Sequence, residues 1–349
     1  MKRYMSLVVT AFLLLIVVVA GSGYLAVADQ TAPGKPLREI TAYTTMPAET
    51  ASVLTQAYEE VSGVRVNFVP LPADEVLRHL RAQANSDGNG SGAALVVGDS
   101  AMLSRAAGEG ALLPYMSEAG DQVPERFRQA EGYWIGVYYD PVVFCVNKDY
   151  LKGLMVVPDT WQALAAMPQV RIGVTDFLAA DASANLFLSM VAQFGDTATY
   201  DIWRNIHPKV VQYAHYLSNP VRQAGMGEVD ISVAVASETL RYIHDGYPLR
   251  VIYPADGTSA QVTGTGIAFK ASPADVAAAR QFADWLLSDE AQLALQSHGF
   301  YFVPTNPSTL AYKGFAGKNM VLFNAEPQFT PEKRHELLDR WVKEIRLKY

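Results

Sequence analysis

The stretch Glu39-Ile40-Thr41-Ala42-Tyr43-Thr44-Thr45-Met46-Pro47 passes from a strand straight into a helix, and the rest of the chain repeats that move. Glu39 to Thr44 reads as the strand. In the helix that follows, Val53, Leu54, Ala57, Tyr58 and Val61 fall at i, i+1, i+4, i+5 and i+8, one apolar face. Gly63 supplies the left-handed residue that ends it. A strand over 64–69, a helix over 72–84 and a short buried strand over 94–97 come next, the last feeding Gly98-Asp99-Ser100 and another helix. The run 85–92 is all Asn, Ser, Asp and Gly, the composition of a loop. Tyr138 to Asn147 is a long apolar strand interrupted by Asp140-Pro141. Proline cannot donate to a ladder, so this is an edge or a segment crossing between sheets. Strands over 171–175, 210–213 and 231–235 each lead toward a helix. Arg250 to Tyr253 reads as a second crossing strand, and 275–296 as one long helix. Thr330-Pro331 opens the last helix, with Leu337, Leu338, Trp341 and Ile345 inward. Strands alternating with helices predict an α/β layered fold.

The N-terminus is of another kind. Lys2 and Arg3 precede an uncharged run from Leu7 to Ala20, then Gly21-Ser22-Gly23 and Ala26-Val27-Ala28. Basic end, apolar middle and small residues at a cleavage site are the order of a secretory signal over 1–28. The 14-residue apolar run would cover roughly 21 Å as a helix, short of a hydrocarbon core of about 30 Å. Cleavage after Ala28 is therefore the expectation, and an uncleaved membrane anchor the alternative. Removing Lys2 and Arg3 with this segment leaves 321 residues carrying 26 basic and 35 acidic side chains, a net charge of −9. Such a chain suits no nucleic-acid partner. Its length suggests two lobes, and it is expected to be a monomer. The single Cys145, set in an apolar run, excludes an internal disulfide and a cysteine metal cluster.

No catalytic motif is visible, and the six histidines fall at no metal-ligand spacing, so the chain reads as no enzyme, with no cofactor and no resident metal. What repeats is a strand ending in a small polar segment that opens a helix: Thr44-Thr45, Asp99-Ser100, Ala182-Ser183 and Ser237-Glu238. In an open α/β sheet, ligands bind beyond the carboxyl ends of the strands, where helix N-termini offer free N–H groups and a partial positive charge. Ser218 and Asn219 follow another strand. Arg222, just beyond, would hold a carboxylate or phosphate through its guanidinium. With Tyr139 on the crossing segment, these form the candidate ligand site.

Five stretches carry a resemblance. They are 40–47, Glu109-Gly110-Ala111-Leu112-Leu113-Pro114-Tyr115, Gly132-Tyr133-Trp134-Ile135-Gly136-Val137-Tyr138, Tyr253-Pro254-Ala255-Asp256-Gly257-Thr258, and Ala283-Asp284-Trp285-Leu286-Leu287-Ser288-Asp289-Glu290-Ala291-Gln292. In that order the chain resembles the periplasmic solute-binding proteins of bacterial ABC importers, in the branch of ferric-iron-binding and organophosphonate-binding proteins. The resemblance implies a two-lobed type II periplasmic-binding-protein fold with two crossing strands. It sets 37–140 plus 256–325 as lobe 1, 141–255 as lobe 2 and 326–349 as a C-terminal helix. It also implies an inner-membrane ABC permease as partner and capture of solute in the periplasm. Ferric-binding relatives use an adjacent tyrosine pair on the helix after a second-lobe strand. The matching stretch Val235-Ala236-Ser237-Glu238-Thr239-Leu240-Arg241-Tyr242 has one tyrosine. A small organic anion is therefore the expected ligand, with ferric iron and a sensor role for a membrane receptor as alternatives.

Overall fold

The structure is a computed structural model that describes residues 38–86, 92–324 and 329–348. The signal segment and most of the polar loop 85–92 lie outside the described residues. No helix among those described is long and apolar enough to cross a membrane. The strands are β1 (Arg38–Thr44), β2 (Val64–Pro70), β3 (Leu95–Asp99), β4 (Leu112–Leu113), β5 (Ile135–Asn147), β6 (Ile172–Thr175), β7 (Val210–Ala214), β8 (Ile231–Val235), β9 (Leu249–Ile252), β10 (Ala260–Ala268) and β11 (Val303–Pro304). They form one mixed sheet in the order β2-β1-β3-β10-β5-β8-β6-β7, with β9 and β11 on β5 and β4 on β10. The longer helices are α1 (Ala48–Ser62), α2 (Ala73–Ala84), α3 (Ser100–Gly108), α4 (Asp181–Phe194), α5 (Asp196–Ile206), α6 (Ser218–Gly225), α7 (Ala236–His244), α8 (Pro273–Leu286), α9 (Asp289–Ser297) and α10 (Pro331–Trp341).

Strand β5 divides the molecule. Its first half pairs with β10, from Thr265 opposite Ile135 to Ala260 opposite Pro141. Its second half, from Val142 on, pairs with β8 and β9. Pro141 stands where the strand changes partners, so its missing N–H costs the ladder little. On either side of this switch the short parallel ladders β2-β1-β3 and β7-β6-β8 build two lobes, each with its own core. One core gathers Leu54, Tyr58, Leu95, Phe282 and Leu286 between β1, β3, α1 and α8. The other gathers Trp161, Phe177, Phe187, Trp203 and Trp341, all essentially inaccessible. Burying a large apolar side chain contributes about 1.5–3 kcal/mol, so each lobe has the means to hold together alone.

Three sequence expectations change. β9 pairs with β5 inside the second lobe, so Arg250–Tyr253 does not itself cross. The return passage is the irregular segment 253–259, after which β10 begins opposite Pro141. A further stretch joins it there: Phe323 donates its N–H to the Thr258 carbonyl at 2.8 Å and packs its ring against Phe194 of the second lobe. The helix expected over 275–296 is two, α8 and α9, because Ser288 caps a fresh start by accepting from the Ala291 N–H. Val61 is 62% exposed, since α1 buries Thr50, Ala51, Leu54 and Tyr58 instead. The C-terminal α10 is part of the second lobe's core, through Leu337, Trp341 and Ile345.

Candidate ligand-binding cleft

β1 and β3 in one lobe run parallel to each other, as β6, β7 and β8 do in the other, and they deliver five helix starts at their carboxyl ends: α1, α3, α4, α6 and α7. Helix α4 packs on β10, so the second lobe meets the first there. They are not equivalent. Asp99 closes α3, accepting from the N–H groups of Ala101 at 2.9 Å and Met102 at 3.2 Å. Asp140, on the crossing strand, closes α7 from outside the helix, accepting the Ser237 N–H at 2.9 Å and the Ser237 hydroxyl at 2.5 Å. By contrast α1 starts at Pro47, α4 at Ala180 and α6 at Leu217, and among the described residues none of the three starts has a side-chain cap. An uncapped start leaves N–H donors and partial positive charge for an external anion.

The electrostatics follow from this placement. Burial pushes the Asp140 carboxyl up to about 7, against the lowering effect of its bonds to Ser237 and Ala236, and the charge on Glu238 pushes the same way. Burial also raises Asp99. The N–H groups of Met102 and Ala101 and the Gln261 amide oppose that rise, while the nearby Asp181 carboxylate adds to it.

The expected site residues divide. Thr44 is fully buried and its hydroxyl is spent, donating to the Val97 carbonyl at 2.8 Å and accepting the Met46 N–H at 3.0 Å. Thr45 accepts the Asp99 N–H at 3.3 Å and so ties the first two loops of its lobe together. Ser100 is buried at the start of α3. In the second lobe Ser183 donates to the Asp176 and Ala180 carbonyls. Ser218 and Asn219, half-buried, open α6. Ser237 serves Asp140, and Glu238 pairs with Arg241 one turn along.

Two expectations are corrected. Tyr139 is 6% exposed and stacks on Phe127 with ring centroids 4.7 Å apart, so it is packing. Arg222 is not brought to the others. It lies 3.9 Å from Glu228, which precedes the start of β8, at the opposite end of that strand from the helix starts.

Four contributors were missed. Asp140 was legible only as a carboxylate inside an apolar run. Asp181 directly precedes the Ala182-Ser183 segment at the end of its strand. Gln261 left no signal. Thr175 ends β6, is 2% exposed, and its hydroxyl has no hydrogen-bond partner among the described residues. It lines a narrow, mostly apolar gap of about 10 Å³ with Val174, Phe177, Ala182, Ser183, Leu217 and Val233. Among the described residues, no three of His, Cys, Asp and Glu stand where they could share a metal ion. Cys145 is buried, and burial pushes its thiol up to about 12.

Known proteins share this architecture. The chain is 26% identical over 305 residues to an uncharacterized protein of Haemophilus influenzae, covering 84% of this chain and 86% of that one. It is 25% identical over 350 residues to iron uptake protein A1 of Synechocystis, covering 90% and 92%. Among solved structures, the periplasmic binding protein AfuA of Actinobacillus pleuropneumoniae, with exogenous fructose-6-phosphate bound, matches with a TM-score of 0.67 at 21% identity, over 88% of this chain and 99% of its own. A Bordetella ferric binding protein matches at 0.69 and 24%, over 86% and 98%. At these identities the structures establish the fold, a two-lobed type II periplasmic-binding-protein architecture. The family described as bacterial extracellular solute-binding protein matches residues 54–329, a span that takes in the crossing strand and the helix starts of the second lobe, and the chain belongs to that family.

Proposed function

We propose that this solute-binding protein captures a small organic anion, a phosphonate, phosphate ester or carboxylate, between its lobes in the periplasm and presents it to an inner-membrane ABC permease. The observation that carries the ligand class is the start of α4: a 14-residue helix with no side-chain cap, beginning beside the buried, unpaired Thr175 hydroxyl. The uncapped start of α1 adds donors from the first lobe, while α6 offers chiefly Ser218, because the Asn219 N–H is bonded to the Tyr216 carbonyl at 3.2 Å and Pro220 has no N–H. Closure then follows as a population shift, since a ligand held by both sets of helix starts favours the shut arrangement. The lobe limits we propose are 37–140 with 256–325, and 141–255, supported by the change of partners along β5 at Pro141.

Ferric-iron transport, the alternative raised by the names of two relatives, would need several anionic oxygens. Tyr138 and Tyr139 are both buried, and burial drives their phenols well above the ordinary range, which keeps them protonated and poor ligands for a hard cation. A thermal-shift screen of phosphonates, sugar phosphates, polycarboxylates and ferric citrate tests the reading. A ligand at 100 times its Kd should add about 2.7 kcal/mol of stability. Stabilisation by ferric citrate but not by citrate or any phosphate ester would replace the anion with iron.

A further inference from the structure

We propose that helix α7 is a latch between the lobes, in which the stack of His244 on Tyr301 holds the second lobe against the first in the arrangement described. Helix α7 lies between β8 and β9 and belongs by chain order to the second lobe. One side of it serves that lobe: Ala236 and Thr239 are buried, and Tyr242 and Ile243 pack with Cys145, Val221 and Leu249. A second side, Ser237, Leu240 and His244, falls at i, i+3 and i+7, one stripe of a helix. Every member of that stripe meets the first lobe or the crossing strand. Ser237 gives its N–H and its hydroxyl to Asp140, at 2.9 and 2.5 Å. Leu240 packs against the first-lobe cluster that holds Tyr139, Val262, Val303 and Phe315. His244 stacks on Tyr301, with ring centroids 4.7 Å apart and planes 16° from parallel. Tyr301 stands between Phe300 and Phe302, which both pack on the first lobe's core.

The three contacts differ in leverage. β5 changes partners at Pro141, next to Asp140, so Ser237 sits at the pivot. His244 is seven residues further on, about 10 Å along the axis at 1.5 Å per residue. Rotation of one lobe on the other about the crossing strand displaces His244 from Tyr301 while Ser237 stays on Asp140. His244 is exposed, and the stack can part without opening either core. The next residue, Asp245, is also close: burial raises the Tyr301 phenol, and the Asp245 carboxylate adds to the rise. In the same arrangement α4 of the second lobe rests on β10 of the first. Stack and cleft-side contact hold together, so losing the stack shifts the population toward lobes further apart. None of this depends on which solute the cleft takes.

The test uses the purified protein without ligand, so its outcome is separate from the anion reading. Nitroxide labels at Ser52→Cys in α1 and Ala198→Cys in α5, both exposed and one in each lobe, report the inter-lobe distance by double electron–electron resonance; Cys145 is buried. In His244→Ala the ratio of short- to long-distance populations should fall about 2- to 12-fold, the weight of one lost aromatic pair. Tyr301→Ala should give the same shift, and the double variant no more than either alone, because all three remove one contact. His244→Phe keeps a ring in place and should restore the original ratio. The melting temperature of His244→Ala should stay put, since the side chain is exposed. Unchanged distances in both alanine variants, a shift toward shorter distances, or additive shifts in the double variant would overturn the latch.

Discussion

Replacing Thr175 with valine changes one atom group in a site that is 2% exposed, and its consequences separate folding from binding. The hydroxyl has no partner among the described residues, so it sits buried at a desolvation cost of about 1–3 kcal/mol. Thr175→Val keeps the shape and removes that cost, so the unliganded protein should become more stable by about 1–2 kcal/mol, a rise of a few degrees in Tm. Binding should move the other way. If the hydroxyl donates to a ligand phosphate or carboxylate, the lost bond to a charged group is worth about 1.5–3 kcal/mol, or about 10- to 150-fold in Kd. Differential scanning fluorimetry without ligand, and calorimetric titration with the best ligand of the screen, read the two effects. The signature is a higher starting Tm with a smaller ligand-induced shift. A variant that melts several degrees lower would show that the hydroxyl is bonded in the folded protein. An unchanged Kd would show that the start of α4 does not meet the ligand.

Other perturbations probe the frame around the cleft. Trp341→Ala should cost about 3–5 kcal/mol in urea unfolding, because the ring is fully buried among Phe177, Phe187 and Tyr213; a loss under about 1 kcal/mol would detach α10 from the second lobe's core. Asp140 has a folded-state pKa of about 7, above its unfolded value of about 3.9, so the folded protein holds the proton longer and stability should fall as pH rises between those values. Asp140→Asn should flatten that slope, and an identical pH profile in the variant would mean the carboxyl is not perturbed. Arg222→Ala should leave ligand affinity unchanged and stability within about 0.5 kcal/mol, since the side chain is exposed and only loosely paired with Glu228; a tenfold loss of affinity would return Arg222 to the cleft.

Much of the architecture was legible in the amino-acid order alone. Period-2 and period-3.6 patterns located β8 to the residue, and the Thr330-Pro331 cap marked the start of α10. The interruption at Asp140-Pro141 marked the crossing, because a missing N–H is a local property that no packing can restore. Helix starts at strand ends were equally local, being written in Thr45, Asp99, Ala182-Ser183 and Ser237. Which of them remain open to a ligand was decided by tertiary structure. Asp140 caps α7 from 97 residues away, the Thr175 hydroxyl is closed in by Ala182, Ser183 and Leu217 from other segments, and α4 is set against the first lobe by packing on β10. Arg222 shows the same limit: its type promised anion binding, but the direction in which α6 leaves β7 carries it to Glu228. Local chemistry sets where donors and acceptors occur along the chain, and the long-range fold settles which of them another part of the same chain has already claimed.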